Sequence, residues 1–250
     1  MPNMPNMPHA SVDLTIVVIA KECVPGRVKT RLSPPFSGTQ AADLAAASLS
    51  DTLRVVSALP VARRVLAFAG TAPPEAAGFE VIAQPEGGLD ERLAAAFEQC
   101  RGRTLLVGMD TPQLSERLLA PVLTEASWAG TDAWFGPAHD GGFWALGFAE
   151  PQPELIRGVP MSAVNTGDIQ RRRLLDAGLR VAELPQLRDV DTITDARAVA
   201  AVAPDSAFAR VFSDFESALE LQLGTPSVAA VSPRPPGTAC APRPEFGTAL

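Results

Sequence analysis

Four cationic side chains lie in one short segment of an otherwise acidic chain, and their types suit the binding of phosphate. The formal net charge is −7, yet residues 21–31 hold two lysines and two arginines around a Pro25-Gly26 turn. Lysine offers phosphate a point charge, arginine offers a fork of donors, and glycine lets the backbone approach closely. A solvated basic turn is the alternative. The segment predicts a phosphate-binding loop with contacts from Lys21, Gly26, Arg27, Lys29, Thr30 and Arg31.

Three aspartates have the chemistry and the setting of metal ligands. Asp110 follows a short apolar segment, and Asp189 and Asp191 lie two residues apart in a segment that we predict to be extended. Two residues apart on an extended chain, side chains point the same way. Because Mg²⁺ and Mn²⁺ prefer carboxylate oxygens, we expect one such cation between Asp110 and at least one of the other two, with carboxylates within about 8 Å. Helix capping or an Asx turn is the alternative.

A third segment, Asp140-Gly141-Gly142-Phe143, combines a carboxylate with a glycine pair and an aromatic ring. The glycines would let backbone N–H groups approach a ligand, and Phe143 would form an apolar wall of an acceptor pocket. Asp140 would orient or deprotonate an acceptor hydroxyl, which makes it, with Lys29, a candidate catalytic residue. Asp-Gly is also a common hairpin turn, and the two roles are compatible.

These segments need elements that bring them together, and strand and helix patterns alternate along the chain. Leu14 to Ala20 is a continuous apolar run, typical of a strand buried on both faces of a parallel sheet. Further strands are predicted at 61–69, 79–83, 104–107, 133–136, 143–148 and 179–184, and helices at 39–58, 89–100, 115–126, 166–177, 194–202 and 205–222. This order predicts an α/β fold with three α/β/α layers and a mostly parallel sheet. Ligands of such sheets bind beyond the carboxyl ends of the strands, where the candidate segments lie.

Composition limits the classes of partner and compartment. Residues 1–12 are predicted to be a disordered arm, 13–224 a single domain, and the Pro-rich residues 225–250 a disordered tail. No apolar run reaches the roughly 20 residues of a membrane span, and an acidic chain is a poor non-specific nucleic-acid binder. Three widely spaced cysteines favour a reducing cytoplasm over a disulfide framework. The oligomeric state stays open, a homodimer included.

Structural roles are favoured for two other features. Residues 88–93, with Arg92, open a helix and are expected to form its ordinary charged first turn, with lining of the nucleotide pocket as the alternative. Cys23 lies among cations that would lower the pKa of its thiol. No histidine lies near it in sequence, so a catalytic cysteine is not expected.

In their order along the chain, four segments resemble the bacterial DUF2064 family, whose members are assigned to the GT-A-type glycosyltransferases. The segments are residues 20–32, 108–114, 136–142 and 189–192. The resemblance implies the nucleotide-diphospho-sugar transferase fold, a Rossmann-like fold shared with guanylyltransferases of molybdenum-cofactor and deazaflavin-cofactor biosynthesis. It also implies that Asp110 binds a metal, that Asp189 and Asp191 are carboxylates near that metal, and that the loop after the first strand binds phosphate. Met161-Ser162-Ala163 departs from the family's usual Trp-Ser-Thr at a position where an acceptor could bind, so the resemblance does not identify the acceptor.

The resulting hypothesis is a metal-dependent transferase that moves a sugar from a nucleotide-sugar to a small-molecule acceptor. The metal would stabilise the leaving diphosphate, with help from Lys29 and Arg31. Neutralising either cation is expected to weaken nucleotide binding roughly ten- to a hundredfold, and of the two Arg31 is the candidate to brace a carboxylate instead. The alternatives are a nucleotidyltransferase that uses an NTP and releases pyrophosphate, and a non-catalytic nucleotide-binding protein.

Overall fold

The computed structural model describes residues 11–224, in which strands and helices alternate as the sequence pattern predicts. The strands are β1 (Val12–Lys21), β2 (Val61–Ala69), β3 (Glu80–Ala83), β4 (Thr104–Val107), β5 (Ala133–Pro137), β6 (Phe143–Phe148) and β7 (Val181–Glu183). The α-helices in this range are α1 (Gly38–Ala58), α2 (Leu89–Glu98), α3 (Glu116–Leu119), α4 (Thr166–Asp176), α5 (Ile193–Val202) and α6 (Ala207–Gly224). The arm and tail predicted from sequence fall at residues 1–10 and 225–250, outside the described residues, except that β1 already begins at Val12.

The seven strands form one sheet in the order β3-β2-β1-β4-β6-β5-β7. All neighbouring pairs are parallel except β6, which runs antiparallel to both β4 and β5. The connection from β5 to β6 is too short for a crossover, so these two strands form a hairpin and β6 must reverse. The prediction of a mostly parallel α/β sheet is confirmed, with β6 as the reversed strand.

Both faces of the sheet are buried, as the uninterrupted apolar run in β1 predicts. Ile16 and Val18 pack into one cluster, which α1 covers with Leu53 and others, while Val17 faces the opposite cluster with Phe97 of α2. Alternation along one strand therefore supplies two hydrophobic layers. The three-layer arrangement is confirmed.

One predicted helix is much shorter than expected. The pattern over 115–126 predicts a single helix, but α3 ends at Leu119 and 3-10 turns follow it. Pro121 explains the difference, because proline lacks the N–H of an α-helical bond and its ring collides with the preceding turn. The start of the helix is as predicted, with the Ser115 hydroxyl accepting a hydrogen bond from the Leu118 amide.

A third hydrophobic cluster joins α1 to α5 and α6, and a buried carboxylate fixes this junction. Asp51 of α1 is 1% exposed and accepts hydrogen bonds from the amides of Ala207 and Phe208, both at 2.9 Å. These amides belong to the first turn of α6 and have no partner inside the helix. Asp51 is therefore a capping group supplied by another helix.

Replacing Asp51 by alanine is expected to lower the free energy of unfolding by about 1–2 kcal/mol, the cost of losing a helix cap. Urea unfolding followed by circular dichroism measures this. Asp43→Ala is the matched control, because Asp43 lies on the same helix and is exposed. Equal unfolding midpoints for the two variants would contradict the capping role.

Candidate active site

A cavity of about 410 Å³ opens beyond the carboxyl ends of β1 and β4, the place that the fold class predicts. Of the residues proposed from sequence, those that line it are Lys21, Asp110, Asp140, Gly142, Phe143, Asp189 and Asp191. Those that do not line it are Gly26, Arg27, Lys29, Thr30, Arg31 and Gly141. The structure thus gathers the carboxylates at one cavity but leaves most of the basic loop outside its wall.

Lys29 is bound to two of the predicted metal ligands. Its Nζ lies 2.6 Å from Asp110 Oδ1 and 3.3 Å from Asp191 Oδ1, and its side chain is only 8% exposed. Burial opposes the charge of Lys29, but Asp110 and Asp191 outweigh it, so the pKa of this ammonium is raised. The loop reaches inward because Lys29 adopts a left-handed backbone conformation, with φ 47°. Lys29 therefore braces these two carboxylates more closely than Arg31, the residue that the sequence suggested for this role.

Asp110 and Asp191 lie as close together as the sequence predicted. Their Oδ1 atoms contact the same ammonium, which keeps the carboxylates within the expected range of about 8 Å. The backbone arranges this contact, because the Val190 amide donates to the Asp110 carbonyl at 3.0 Å. Arg31 is 77% exposed, and its Nη1 lies 3.7 Å from Asp191 Oδ2.

Asp189 is the most perturbed carboxyl group of the cavity. Its Oδ1 is buried with no hydrogen-bond partner. Burial, followed by the negative charges of Asp140 and Asp110, raises the pKa of Asp189 to about 7. The N-terminus of α5 is capped by Thr192 and Asp195, which form a capping box. Neither Asp189 nor Asp191 is therefore used as the cap of α5.

These residues fit a divalent cation by donor chemistry but do not form a complete shell. Carboxylate oxygens are the hard donors that Mg²⁺ and Mn²⁺ prefer, and the buried Asp189 Oδ1 has no hydrogen-bond partner. Within residues 11–224, however, no cluster of three or more His, Cys, Asp or Glu side chains has metal-binding geometry. The Lys29 ammonium lies between Asp110 and Asp191, where the sequence predicted the metal.

The glycine pair after Asp140 forms the hairpin turn and packs against another loop. Asp140 Oδ1 accepts a hydrogen bond from the Gly142 amide at 2.8 Å, and Gly141 adopts φ +88°. A Cβ at Gly141 would lie 1.9 Å from the carbonyl oxygen of Val164. Gly141 packs against residue 164 and is not among the residues that line the cavity, so its role in the pocket stays a prediction. Gly142 and Phe143 do line it.

Gly141→Ala is expected to lower the free energy of unfolding by about 1–3 kcal/mol, because it combines an unfavourable φ with a steric overlap. Thermal denaturation measures the loss. Gly130→Ala serves as the control, since its Cβ would meet nothing within 4 Å and its φ is not positive. Equal melting temperatures for Gly141→Ala and the Gly130→Ala control would contradict this packing.

The cavity also includes residues that sequence reasoning missed. Gln84 follows β3 directly and Thr111 lies four residues after β4, so the end-of-strand rule identifies Gln84 and the loop after β4. Arg92 lies in the first turn of α2 and also lines the cavity, which agrees with the alternative that the sequence left open. The segment 161–163, where the sequence departs from the family, contributes Met161 and Ser162 to the same wall.

Cys23 does not have the environment of a reactive thiol. Burial, followed by the charge of Asp110, raises the pKa of its thiol to about 11, although Lys21 and Lys29 act in the opposite direction. The neighbouring cations do lower this pKa, as the sequence suggested, but burial and Asp110 outweigh them. The expectation of no catalytic cysteine is consistent with this shift.

Comparison with known proteins agrees with the geometry. Residues 52–163 match the sequence profile of DUF2064, described as an uncharacterized protein conserved in bacteria. The resemblance to DUF2064 is confirmed. No curated protein gave a significant match. Among the helices of residues 11–224, none has the length and apolar character of a membrane span.

One solved structure supports the nucleotide-diphospho-sugar transferase fold for this DUF2064-like chain. A protein of Desulfovibrio desulfuricans G20, provisionally assigned as a nucleotide-diphospho-sugar transferase, superposes with a TM-score of 0.71 at 26% identity, over 84% of this chain and 97% of that one. A cytidylyltransferase of Leptospira borgpetersenii gives 0.49 at 12% identity, over 86% and 98%. The manganese complex of Rv0371C from Mycobacterium tuberculosis H37Rv gives 0.47 at 20%, over 76% and 98%. The predicted fold is confirmed.

Proposed function

We propose that the chain is a metal-dependent transferase that takes a sugar from a nucleotide-sugar and passes it to a small-molecule acceptor. The observation that carries this is the convergence of Asp110, Asp189 and Asp191 on one cavity, with the Lys29 ammonium between two of them. The cavity volume of about 410 Å³ lies within the usual range for small-molecule sites. The similarity to a protein assigned as a nucleotide-diphospho-sugar transferase supports it.

The charge of the site explains why a cation would be needed. A diphosphate would be repelled by carboxylates unless positive charge stands between them. Asp110 and Asp191 would hold Mg²⁺ or Mn²⁺, and Asp189 would add an oxygen or orient a bound water. When bound, such a cation stabilises the negative charge of a leaving diphosphate. Lys21, at the end of β1, and Lys29 would contact phosphate oxygens as charged donors.

Asp140 is the proposed orienting group for the acceptor. One of its oxygens already accepts from the Gly142 amide, which fixes the carboxylate and leaves the other oxygen to receive a hydroxyl proton. Asp140 is exposed and lines the cavity together with Ser162, so an acceptor hydroxyl can reach it from solvent. A small polyhydroxyl molecule has the required chemistry.

Nucleotidyl transfer is the second candidate. Lys21 and Arg92 both line the cavity and would add cationic contacts for a triphosphate. The products separate the two reactions, because glycosyl transfer releases a nucleoside diphosphate and nucleotidyl transfer releases pyrophosphate. A non-catalytic nucleotide-binding protein would not need the approach of Asp110 to Asp191, which favours an enzyme. A cytoplasmic location and a homodimer stay predictions from the sequence.

A thermal-shift screen tests the proposal, with UDP-, GDP-, CDP- and ADP-sugars and NTPs, each with and without Mg²⁺ or Mn²⁺. A ligand at a hundred times its dissociation constant stabilises the native state by about 2.7 kcal/mol. We expect a nucleotide-dependent rise in melting temperature that needs the metal and disappears in Asp110→Asn. Product analysis of the stabilising nucleotide then identifies the reaction. The proposal fails if no nucleotide stabilises the protein under any metal condition.

A further inference from the structure

The lining of the cavity includes apolar residues as well as carboxylates, and these bear on which nucleotide the proposed transferase uses. Ile19, Leu89 and Leu93 supply apolar surface there, and Leu89 is 45% exposed although it is a large hydrophobic residue. An uncharged planar ring would cover such surface favourably, while a diphosphate would not. Gln84 and Arg92 line the same cavity and also a neighbouring pocket.

The Gln84 amide is fixed so that it can only accept a hydrogen bond from a ligand. Its Nε2 donates to the carbonyl of Ala20 at 2.7 Å and to that of Ala67 at 2.8 Å. A flipped amide would place its oxygen against two carbonyl oxygens, so the orientation is determined. Both amide hydrogens are used, and no group among residues 11–224 donates to the Gln84 Oε1. This oxygen is a free acceptor in the cavity wall.

Arg92 supplies the opposite function. Its Nε donates to the Gly87 carbonyl at 3.1 Å, which orients the guanidinium, and no carboxylate in the described part of the chain pairs with it. The terminal nitrogens therefore remain available as charged donors. The wall thus offers one acceptor, from Gln84, and one charged donor, from Arg92, beside an apolar surface.

We propose that Gln84 and Arg92 select a nucleobase with a lactam edge, which means guanine or uracil, over adenine and cytosine. A lactam edge places a ring N–H beside a carbonyl oxygen, so that the N–H donates to Gln84 and the carbonyl accepts from Arg92. Adenine and cytosine invert both groups, with a bare ring nitrogen and an amine at the same positions. The guanidinium is assigned to the carbonyl because this oxygen has two lone pairs, and arginine contacts to guanine O6 are the commonest specific base contacts.

This inference rests on the proposed function, and titration calorimetry with GDP, UDP, ADP and CDP in the presence of Mg²⁺ tests the two separately. We expect GDP and UDP to bind about tenfold more tightly than ADP and CDP, or better. If none of the four binds, the proposed function is wrong and the base assignment falls with it. If all four bind alike, or ADP and CDP bind more tightly, nucleotide use stands and the base assignment is wrong.

Two further measurements assign the contacts. Arg92→Met is expected to lower the affinity for GDP and UDP about tenfold while leaving the affinity for ADP and CDP nearly unchanged. Lys21→Met is the comparison variant, which should weaken all four alike because it acts on phosphate. A uniform loss in Arg92→Met would place Arg92 on the phosphates and overturn the assignment. Substitution of Gln84 would also remove its two hydrogen bonds to backbone carbonyls, so the Gln84 contact is tested by changing the ligand instead. 1-Methylguanosine diphosphate lacks the ring N–H that would donate to Gln84. It should therefore bind no more tightly than ADP.

Discussion

Asp189→Asn is expected to make the ligand-free protein more stable above neutral pH, by about 2–4 kcal/mol at pH 8. The cause is that the folded state holds this carboxyl group in a place that disfavours its charge. Burial makes the largest contribution to the raised pKa of this carboxyl group, and the negative charges of Asp140 and Asp110 make the next largest. Asparagine has nearly the same shape and carries no charge, so the variant removes this unfavourable energy and keeps the packing.

The direction of the pH dependence follows from the two pKa values. The pKa of Asp189 is raised from 3.8 to about 7 on folding. As pH rises through this interval, the unfolded chain loses the proton first while the folded protein retains it. Stability contributed by this group is therefore fully present below about pH 4, falls as pH rises to 7, and is constant above that. The variant should lack this decline, so the two proteins should differ little at pH 4 and most at pH 8.

Urea unfolding midpoints from pH 4 to 8, without metal or nucleotide, measure the effect. Asp214→Asn is the matched control, since Asp214 is exposed on α6. A difference between parent and Asp189→Asn that does not change with pH would contradict the assignment. If Asp189 also serves the proposed site, the more stable variant should lose transferase activity, a common conflict between stability and function.

The sequence predicted the location of the site better than its internal contacts. The apolar run of β1 and the position of Asp110 at the end of β4 place the carboxylates at one edge of the sheet, because strand ends in such a fold converge there. The conformation of a turn is not contained in residue spacing. Lys29 turns inward through a left-handed backbone conformation, while Arg31, two residues later, faces solvent.

The same limit explains the other differences. Gly141 suggests a ligand contact from its type alone, but the neighbour that requires a glycine there is Val164, which is distant in sequence. Arg92 has the sequence setting of a charged helix start, and the structure shows that this first turn of α2 also lines the cavity. Long-range packing decides these roles, and a single sequence carries no direct record of it.

Lys29→Met is expected to have two opposite effects on ligand binding. Without nucleotide, the Lys29 ammonium occupies the space between Asp110 and Asp191, so it competes with a divalent cation for the same oxygens. Repulsion between a dication and an ammonium a few ångströms apart is worth on the order of 2 kcal/mol even with substantial screening. The variant should therefore bind Mn²⁺ more tightly than the parent, by tenfold or more.

With nucleotide present, the expected change is a loss. If Lys29 leaves the carboxylates to contact phosphate, its removal deletes a charge-assisted hydrogen bond and weakens nucleotide binding by roughly ten- to a hundredfold. Titration calorimetry with Mn²⁺ alone, and then with GDP or UDP at saturating Mn²⁺, separates the two effects. Arg31→Met is the matched control: Arg31 is exposed and 3.7 Å from Asp191, so it should change Mn²⁺ affinity much less. Unchanged Mn²⁺ affinity in Lys29→Met would show that the cation does not use Asp110 and Asp191, and the proposed metal site would have to be abandoned even if nucleotide binding were weakened.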